Sequence, residues 1–351
     1  MNCKWVSKED KRIKCERHAD SSGYCIFHKK NKSKRENILF LAYIKKGKIN
    51  DFTGFVFEDE FDINKVINYS YNKLLFNEAI FEKKAIFEKY TFEKNVDFSN
   101  AHFNSIVSFK RANFFENCII INSVFNIKYI NERVFDEANF SGQKLIVENS
   151  INFPRLDGVI FSPYTKFILR DVYYDKNNAI CGKTNYRIAR IQAKQIENQE
   201  NIGYYYYNER NYASKFLEEE KFNSYKEYLS VKFFDFLSKN IIGYGEKPFK
   251  LLIISFSIIS IFAFLYMLIG VNSSQYGLIK LNLLNNSYSF YELCLMYIDV
   301  WYFSIITFCT VGYGDMLIIG ILGKLLVCIE VFLGVTINAI WTSILLSRMV
   351  R

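Results

Sequence analysis

Two groups of residues in this 351-residue chain offer ligand atoms for a cation. The first is Thr310-Val311-Gly312-Tyr313-Gly314-Asp315. It offers oxygen ligands: successive backbone carbonyls, with the Thr310 hydroxyl as a further, innermost oxygen. Gly312 and Gly314 tolerate the left-handed backbone angles that aim consecutive carbonyls to one side. Four copies of such a loop around one axis can replace the water shell of a dehydrated cation. The second group is Cys3, Cys15, His18, Cys25 and His28, spaced C-x11-C-x2-H-x6-C-x2-H. Zinc takes four soft or borderline ligands in a closed tetrahedron, and a two-residue gap lets one turn supply two of them. Five candidates compete for four places. Cys3, Cys15, Cys25 and His28 are the expected set, with His18 in reserve. The alternative is a set of unrelated thiols on a loose arm.

The hexapeptide lies between two apolar runs. Leu251–Val271 holds 21 residues without a charge, about 31 Å as a helix and enough to cross a hydrocarbon core. The second run extends from about Gly323 to Leu346, with Lys324 at its outer end and Glu330 inside. Tyr291–Phe308, between them, is apolar and aromatic, and part of it is expected as a short helix entering the membrane from outside. Irregular backbone at membrane depth is tolerated only where it lines a cavity or ion path, which suits Thr310–Gly314. Glu330 is an intramembrane carboxyl and so a functional candidate; a hydrogen bond to a neighbouring helix explains it equally well. Lys232, Lys239, Lys247 and Lys250 precede the first run, Arg348 and Arg351 follow the second, and residues 272–322 contain one basic residue, Lys280. By the positive-inside rule both termini are expected in the cytoplasm.

Residues 1–50 carry 14 Lys/Arg against 5 Asp/Glu, so the whole net charge of +9 sits there. A basic arm can meet nucleic acid or anionic lipid, but no base-reading motif accompanies it, and a solvated face is the plainer reading. The N-terminus has no apolar h-region, so no signal peptide is expected. The eight Cys are then thiols or metal ligands rather than disulfides.

The large apolar positions Phe76, Phe81, Phe87, Phe92, Phe98, Phe103, Phe109, Phe114, Ile120 and Phe125 follow one another in alternating steps of five and six. Two residues before each from Phe81 onward stands a second inward candidate, mostly small: Ala79, Ala85, Tyr90, Val96, Ala101, Val107, Ala112, Cys118, Ser123. Positions i and i+2 share a side of an extended chain, whereas on a helix they diverge by about 200°. Short extended faces at a fixed period imply a β-solenoid with Phe columns inside. Residues 184–240 read as amphipathic helices of a cytoplasmic connector. Gly243-Tyr244-Gly245 reads as a turn, and Pro248 suits the start of the next helix.

These motifs resemble known families. T-V-G-Y-G-D is the filter signature of potassium channels, and residues 245–350 resemble the two-span members. The resemblance implies that Thr310, Val311, Gly312 and Tyr313 donate ion-coordinating carbonyls, with Gly314 completing the filter. It implies that Asp315 braces the filter from behind, that Tyr302 is a bracing aromatic and that Thr307 is the pore-helix Thr. Gly334, 24 residues after Thr310, falls where an inner-helix hinge is often found, and Asn338 one turn on would face the cavity. Glu330 joins them as a gating candidate. This chain departs from the family at Ile306, where some members have a bracing Glu, at Cys309, and at Met316, which has no nearby Pro. The Phe repeat resembles pentapeptide-repeat proteins from about Phe52 to Phe167, which implies a right-handed quadrilateral β-helix; the 5/6 alternation departs from a strict pentad, and Leu145–Asn152 breaks the period. Gly23-Tyr24-Cys25-Ile26-Phe27-His28 is similar to Cys/His knuckles found ahead of such repeats.

The expected organisation is a zinc knuckle over 1–36, a solenoid over 50–168, a helical connector over 169–247 and a two-span pore over 248–351. The expected function is a homotetrameric potassium-selective channel of the plasma membrane, with K⁺ as permeant ion and structural Zn²⁺ in the knuckle. No catalytic constellation is present, so no enzymatic activity is expected. No Arg-rich helix precedes the first span, so intrinsic voltage sensing is not expected. The chain stops soon after the second span, which moves expected control to the N-terminal side, through a cytoplasmic partner of the solenoid. The other reading is a membrane-tethered interaction scaffold with a non-conducting or non-selective pore. Nucleic-acid binding is the weakest of the three.

Overall fold

The computed structural model describes residues 1–67, 73–126, 133–215, 217, 222–274, 277–281 and 289–349. They form two compact units, Met1–Tyr228 and Leu229–Arg351.

The first unit is a four-faced parallel β-solenoid. One face stacks β1 (Val56–Phe57), β4 (Ile80–Phe81), β8 (His102–Phe103) and β12 (Val124–Phe125). The next stacks β2 (Phe61–Asp62), β5 (Ala85–Ile86) and β9 (Val107–Ser108). The third stacks β6 (Thr91–Phe92), β10 (Asn113–Phe114), β13 (Asn139–Phe140) and β15 (Ile160–Phe161). The fourth is the longest: β3 (Leu74–Leu75), β7 (Val96–Asp97), β11 (Cys118–Ile121), β14 (Lys144–Glu148) and β16 (Lys166–Arg170). In the regular coils Ile80 pairs with His102, which pairs with Val124, an advance of 22 residues per turn. Two five-residue and two six-residue steps make up that 22, so the alternation is the signature of a four-sided coil with two kinds of corner. The five-residue corners each place one residue at positive φ: Glu78, Lys89, Asn100, Arg111 and Asn122. At the first four of them the fourth residue bonds back to the first, as in Ala79 N–H to Phe76 C=O at 3.1 Å and Ala101 N–H to Phe98 C=O at 3.0 Å, the pattern of a type II turn; at the Asn122 corner the Ser123 N–H donates instead to the Ser150 hydroxyl at 3.2 Å.

Inside, rings from successive coils lie nearly parallel. Phe52–Phe76–Phe98 stack at 4.8 and 5.1 Å, Phe57–Phe81–Phe103–Phe125 at 4.7, 5.0 and 4.9 Å. Phe87–Phe109–Phe135 stack at 4.7 and 4.8 Å, Phe92–Phe114–Phe140 at 4.7 and 4.4 Å. Ala79, Ala85, Ala101 and Ala112 are fully buried beside them, while Tyr90 stays half-buried. The run Leu145–Asn152, which breaks the period, does not leave the solenoid. It widens the fourth face into β14, where Leu145 and Val147 take the inward places and pair with Cys118 and Ile120.

Both ends are covered. At the N-terminal end Phe27 C=O accepts the Val56 N–H at 2.9 Å, and the Glu78 carboxylate accepts the Ser7 hydroxyl and the Lys8 N–H. The knuckle continues into α1 (Lys34–Gly47), started by a Ser33–Glu36 capping box, and Phe40 and Ile44 bury against the first coil; a single turn, α2 (Ile63–Val66), follows. At the other end α3 (Ala179–Gln195) and α4 (Gln199–Ser214) pack together on the last coil. Asn185 accepts the Leu156 N–H and donates to Pro154 C=O and to the Tyr174 hydroxyl at 2.8–2.9 Å. Gln192 serves Thr165 and Phe167, and the Tyr212 hydroxyl donates to Val172 C=O at 3.0 Å. These side chains take over ladder positions a further coil would fill. Much of the expected connector is therefore a cap; α5 (Tyr225–Leu237), which buries no side chain, follows later in the chain.

In the second unit Gly243, Tyr244 and Gly245 make a left-handed turn. The helix α6 then runs Pro248–Ile269, with Pro in its first turn. It begins before the expected Leu251 and stops before Val271, because Val271–Ser273 (β17) joins Gly277–Ile279 (β18) and Met316–Ile318 (β19) in an antiparallel sheet. The apolar run after it is one continuous helix, α7 (Phe290–Phe308), longer than the short helix expected, because a Ser289–Glu292 capping box starts it. The last helix, α8, covers Gly320–Met349. Arg351 lies outside the described residues. Three helices, Pro248–Ile269, Phe290–Phe308 and Gly320–Leu346, are long and apolar enough to cross a membrane.

Candidate functional site

The helix α8 lies antiparallel to α6: Gly323 sits beside Ile269, and Ile344 shares a cluster with Leu251. The end of α7 meets α8 near its midpoint, where the Phe308 carbonyl abuts Gly334. The chain then turns back and reaches β19, which pairs with the strand that follows α6. This is a re-entrant loop, and it carries Thr310–Gly314.

The loop hangs from the C-terminus of α7. Thr310 N–H donates to Thr307 C=O at 3.0 Å, and Val311 and Gly312 N–H donate to Ile306 C=O at 2.8 and 3.3 Å. The donors are thus turned inward. Positive φ recurs at every second residue: Thr310 (+56°), Gly312 (+55°) and Gly314 (+81°). A Cβ on Gly312 or Gly314 would meet nothing within 4 Å, so their backbone angles, not crowding within this chain, call for glycine. The Thr310 hydroxyl donates to Cys309 C=O at 2.7 Å, which leaves its lone pairs free to accept. Residues 309–314 are all exposed in the single chain, directly after the buried run Phe303–Phe308 apart from half-buried Ile305. An arrangement of inward donors and open carbonyls is suited to a cation on the loop's outer side.

Tyr302 stands beside Asp315, close enough for phenol and carboxylate to interact. One carboxylate oxygen of Asp315, Oδ1, is buried with no partner among the described residues, and its backbone C=O accepts the Ser274 N–H at 3.0 Å. Thr307 is buried, but its hydroxyl donates to Phe303 C=O at 2.8 Å; its carbonyl, not its side chain, touches the loop. Ile306 lines an apolar cavity of about 450 Å³ behind the loop with Phe303, Val327 and Val331. Met316, without a nearby Pro, is instead the first residue of β19, paired with Ser273. Asn338 is exposed on α8, and its carbonyl accepts the Thr342 hydroxyl at 2.9 Å. A methyl on Gly334 would lie 2.0 Å from the Phe308 carbonyl oxygen, so this glycine is demanded by close packing. Glu330 is fully buried and accepts hydrogen bonds from Tyr266 on α6 (2.6 Å) and from Ser304 on α7. Neither Tyr266 nor Ser304 stood out in the sequence, since an isolated hydroxyl in an apolar run carries no spacing signal.

At the other end of the chain, Cys3, Cys15, Cys25 and His28 converge, their ligand atoms all within 4.8 Å of one another. Cys15 and Cys25 sulfurs are 3.8 Å apart, and His28 Nδ1 is 3.2 Å from Cys25 Sγ and 3.6 Å from Cys3 Sγ. The edge of a tetrahedron with about 2.3 Å metal–sulfur bonds is roughly 3.8 Å, so the set fits zinc in size and chemistry. His28 Nε2 faces Thr53 C=O at 3.1 Å, which fixes Nδ1 as the ligand nitrogen, and Trp5 stacks on the imidazole at 4.4 Å. Burial pushes His28 down to about 4, with Arg17 and Lys32 acting the same way, so the imidazole is neutral and able to ligate. Burial pushes the Cys25 thiol up to about 12, and the sulfurs of Cys15 and Cys3 add to this; a bound divalent cation would offset that cost. His18 is exposed, in a bridge with Asn2, and stays outside the cluster.

No curated protein and no solved structure matches this chain. Residues 279–351, which hold α7, the re-entrant loop and α8, match the family model Ion_trans_2, described as ion channel.

Proposed function

We propose that this chain is the subunit of a homotetrameric, potassium-selective channel of the plasma membrane. The observation that carries the reading is the loop itself: left-handed backbone at Thr310, Gly312 and Gly314, with the Thr310, Val311 and Gly312 N–H groups spent on α7 and, among the described residues, no donor on the carbonyls of 310–314. One copy cannot surround an ion, and the exposure of residues 309–314 in a single chain is what four copies about an axis would remove. The match of residues 279–351 to ion channels supports the class of function. Permeation is passive, with no catalytic step, and K⁺ passes from carbonyl to carbonyl. Zn²⁺ at Cys3, Cys15, Cys25 and His28 is structural and fastens the arm over the first coil. Both termini lie in the cytoplasm, and the solenoid, through a protein partner, sets gating or localisation.

Ion flux into proteoliposomes tests this. The expected result is K⁺ flux well above Na⁺ flux, blocked by Ba²⁺ and abolished by Gly312→Asp. Equal flux of both ions, or none, would instead favour a membrane-tethered interaction scaffold. Deleting residues 1–170 is expected to change single-channel open probability; an unchanged value would sink control by the solenoid.

A further inference from the structure

Glu330 is buried where all three apolar helices of the second unit meet. Its Oε2 accepts from the Tyr266 hydroxyl of α6 at 2.6 Å, and its Oε1 accepts from the Ser304 hydroxyl of α7. Ser304 is itself 2.9 Å from the Ile259 carbonyl of α6. Within the described residues its partners are hydroxyls, not bases. A carboxyl at membrane depth is expensive and is held where it is bonded or functional; here each oxygen is tied to a different helix. One turn further along α8, Gly334 touches the Phe308 carbonyl. The last helix is therefore fastened to the loop-bearing helix at two consecutive turns. Two residues after Ser304 comes Ile306, whose carbonyl holds the Val311 and Gly312 N–H groups.

From this geometry we propose that Glu330 is a positioning residue for the loop. Through Ser304 it holds α7 in register against α8, and so keeps the Ile306 carbonyl where Val311 and Gly312 need it. It does the work from α8 that no side chain at Ile306 can do, since Ile306 has no polar atom to offer. A displacement of the outer half of α8 would then be felt at the loop before it is felt at the far end of the helix. This rests on the channel reading for its consequence, but not for its geometry.

The test is amide hydrogen exchange of the peptide spanning residues 309–315 in the full-length, detergent-solubilised protein, followed by K⁺/Na⁺ selectivity in proteoliposomes. Ser304→Ala and Glu330→Leu are expected to speed exchange at Val311 and Gly312 by about ten-fold, the loss of one buried hydrogen bond. Glu330→Gln keeps an acceptor for Ser304 and is expected to restore near wild-type exchange. Ser257→Ala, whose hydroxyl only serves Ile253 C=O within α6, is the control. Wild-type exchange in Ser304→Ala, which removes a single oxygen, would overturn the proposal even where Glu330→Leu fails to fold. A wild-type protein that conducts nothing would sink the channel reading, and the exchange result would still decide this one.

Discussion

At Gly334 a methyl group would sit 2.0 Å from the Phe308 carbonyl oxygen, far inside contact distance. The obstacle is backbone, which cannot swing aside as a side-chain tip can. Gly334→Ala is therefore expected to destabilise the protein by about 1–3 kcal/mol or more, read as a lowered Tm in detergent. A Tm equal to wild type with altered gating would instead favour a hinge at this position. Its identity was legible in the sequence, but the reason was not: a glycine that bends and a glycine that lets two backbones touch look the same in one chain. The Cys/His cluster is the opposite case. Density of Cys and His within thirty residues pointed to the four side chains that converge, and burial against exposure separated His28 from His18. Cys25→Ser is expected to reduce bound zinc from one per chain to well below one, measured by elemental analysis. A chelator should then lower the Tm of the wild type and leave that of the variant unmoved, because a structural metal contributes folding free energy directly.

The Phe columns show what an element can and cannot reveal about itself. Steps of five and six identified the inward positions from Phe76 to Phe125, and all ten are buried. The alternation itself reflects corners that need a positive φ at Glu78, Lys89, Asn100, Arg111 and Asn122, none of them glycine, so no residue type announced them. Phe98 lies fully buried between Phe76 at 5.1 Å and its neighbours Phe87 and Phe109 at 5.5 Å. Phe98→Ala is expected to cost about 3–5 kcal/mol, measured by denaturant unfolding of the first unit. A cost under 1 kcal/mol would mean that the column collapses freely and that stacking contributes little. The caps on the two ends were less legible. Nothing local to Asn185, Gln192 or Tyr212 says that these side chains close a sheet edge, yet an open edge invites association with another chain.

For the whole molecule, assembly about a shared pore is the claim to test. Ions that bind only the assembled, folded state stabilise it by mass action. The thermal dissociation of the oligomer is expected to rise in K⁺ relative to Na⁺ at equal ionic strength, and Gly312→Asp is expected to erase the difference. Identical curves in the two salts would remove ion binding at the loop. Local patterns among neighbouring residues carry four features: two apolar runs, the oxygen-rich loop between them, the Phe period and the Cys/His density. Each depends on a pattern repeated over a few residues, which helical and extended geometry convert directly into a face or a turn. Helix packing in the folded chain decided that Glu330 meets Tyr266, 64 residues away, and Ser304, 26 residues away. It also decided that Phe308 rests on Gly334, and that α3 and α4 close the solenoid rather than merely lead out of it. Those contacts join side chains whose local surroundings are alike. What distinguishes them is which helices pack together and at what depth, and no short pattern encodes that.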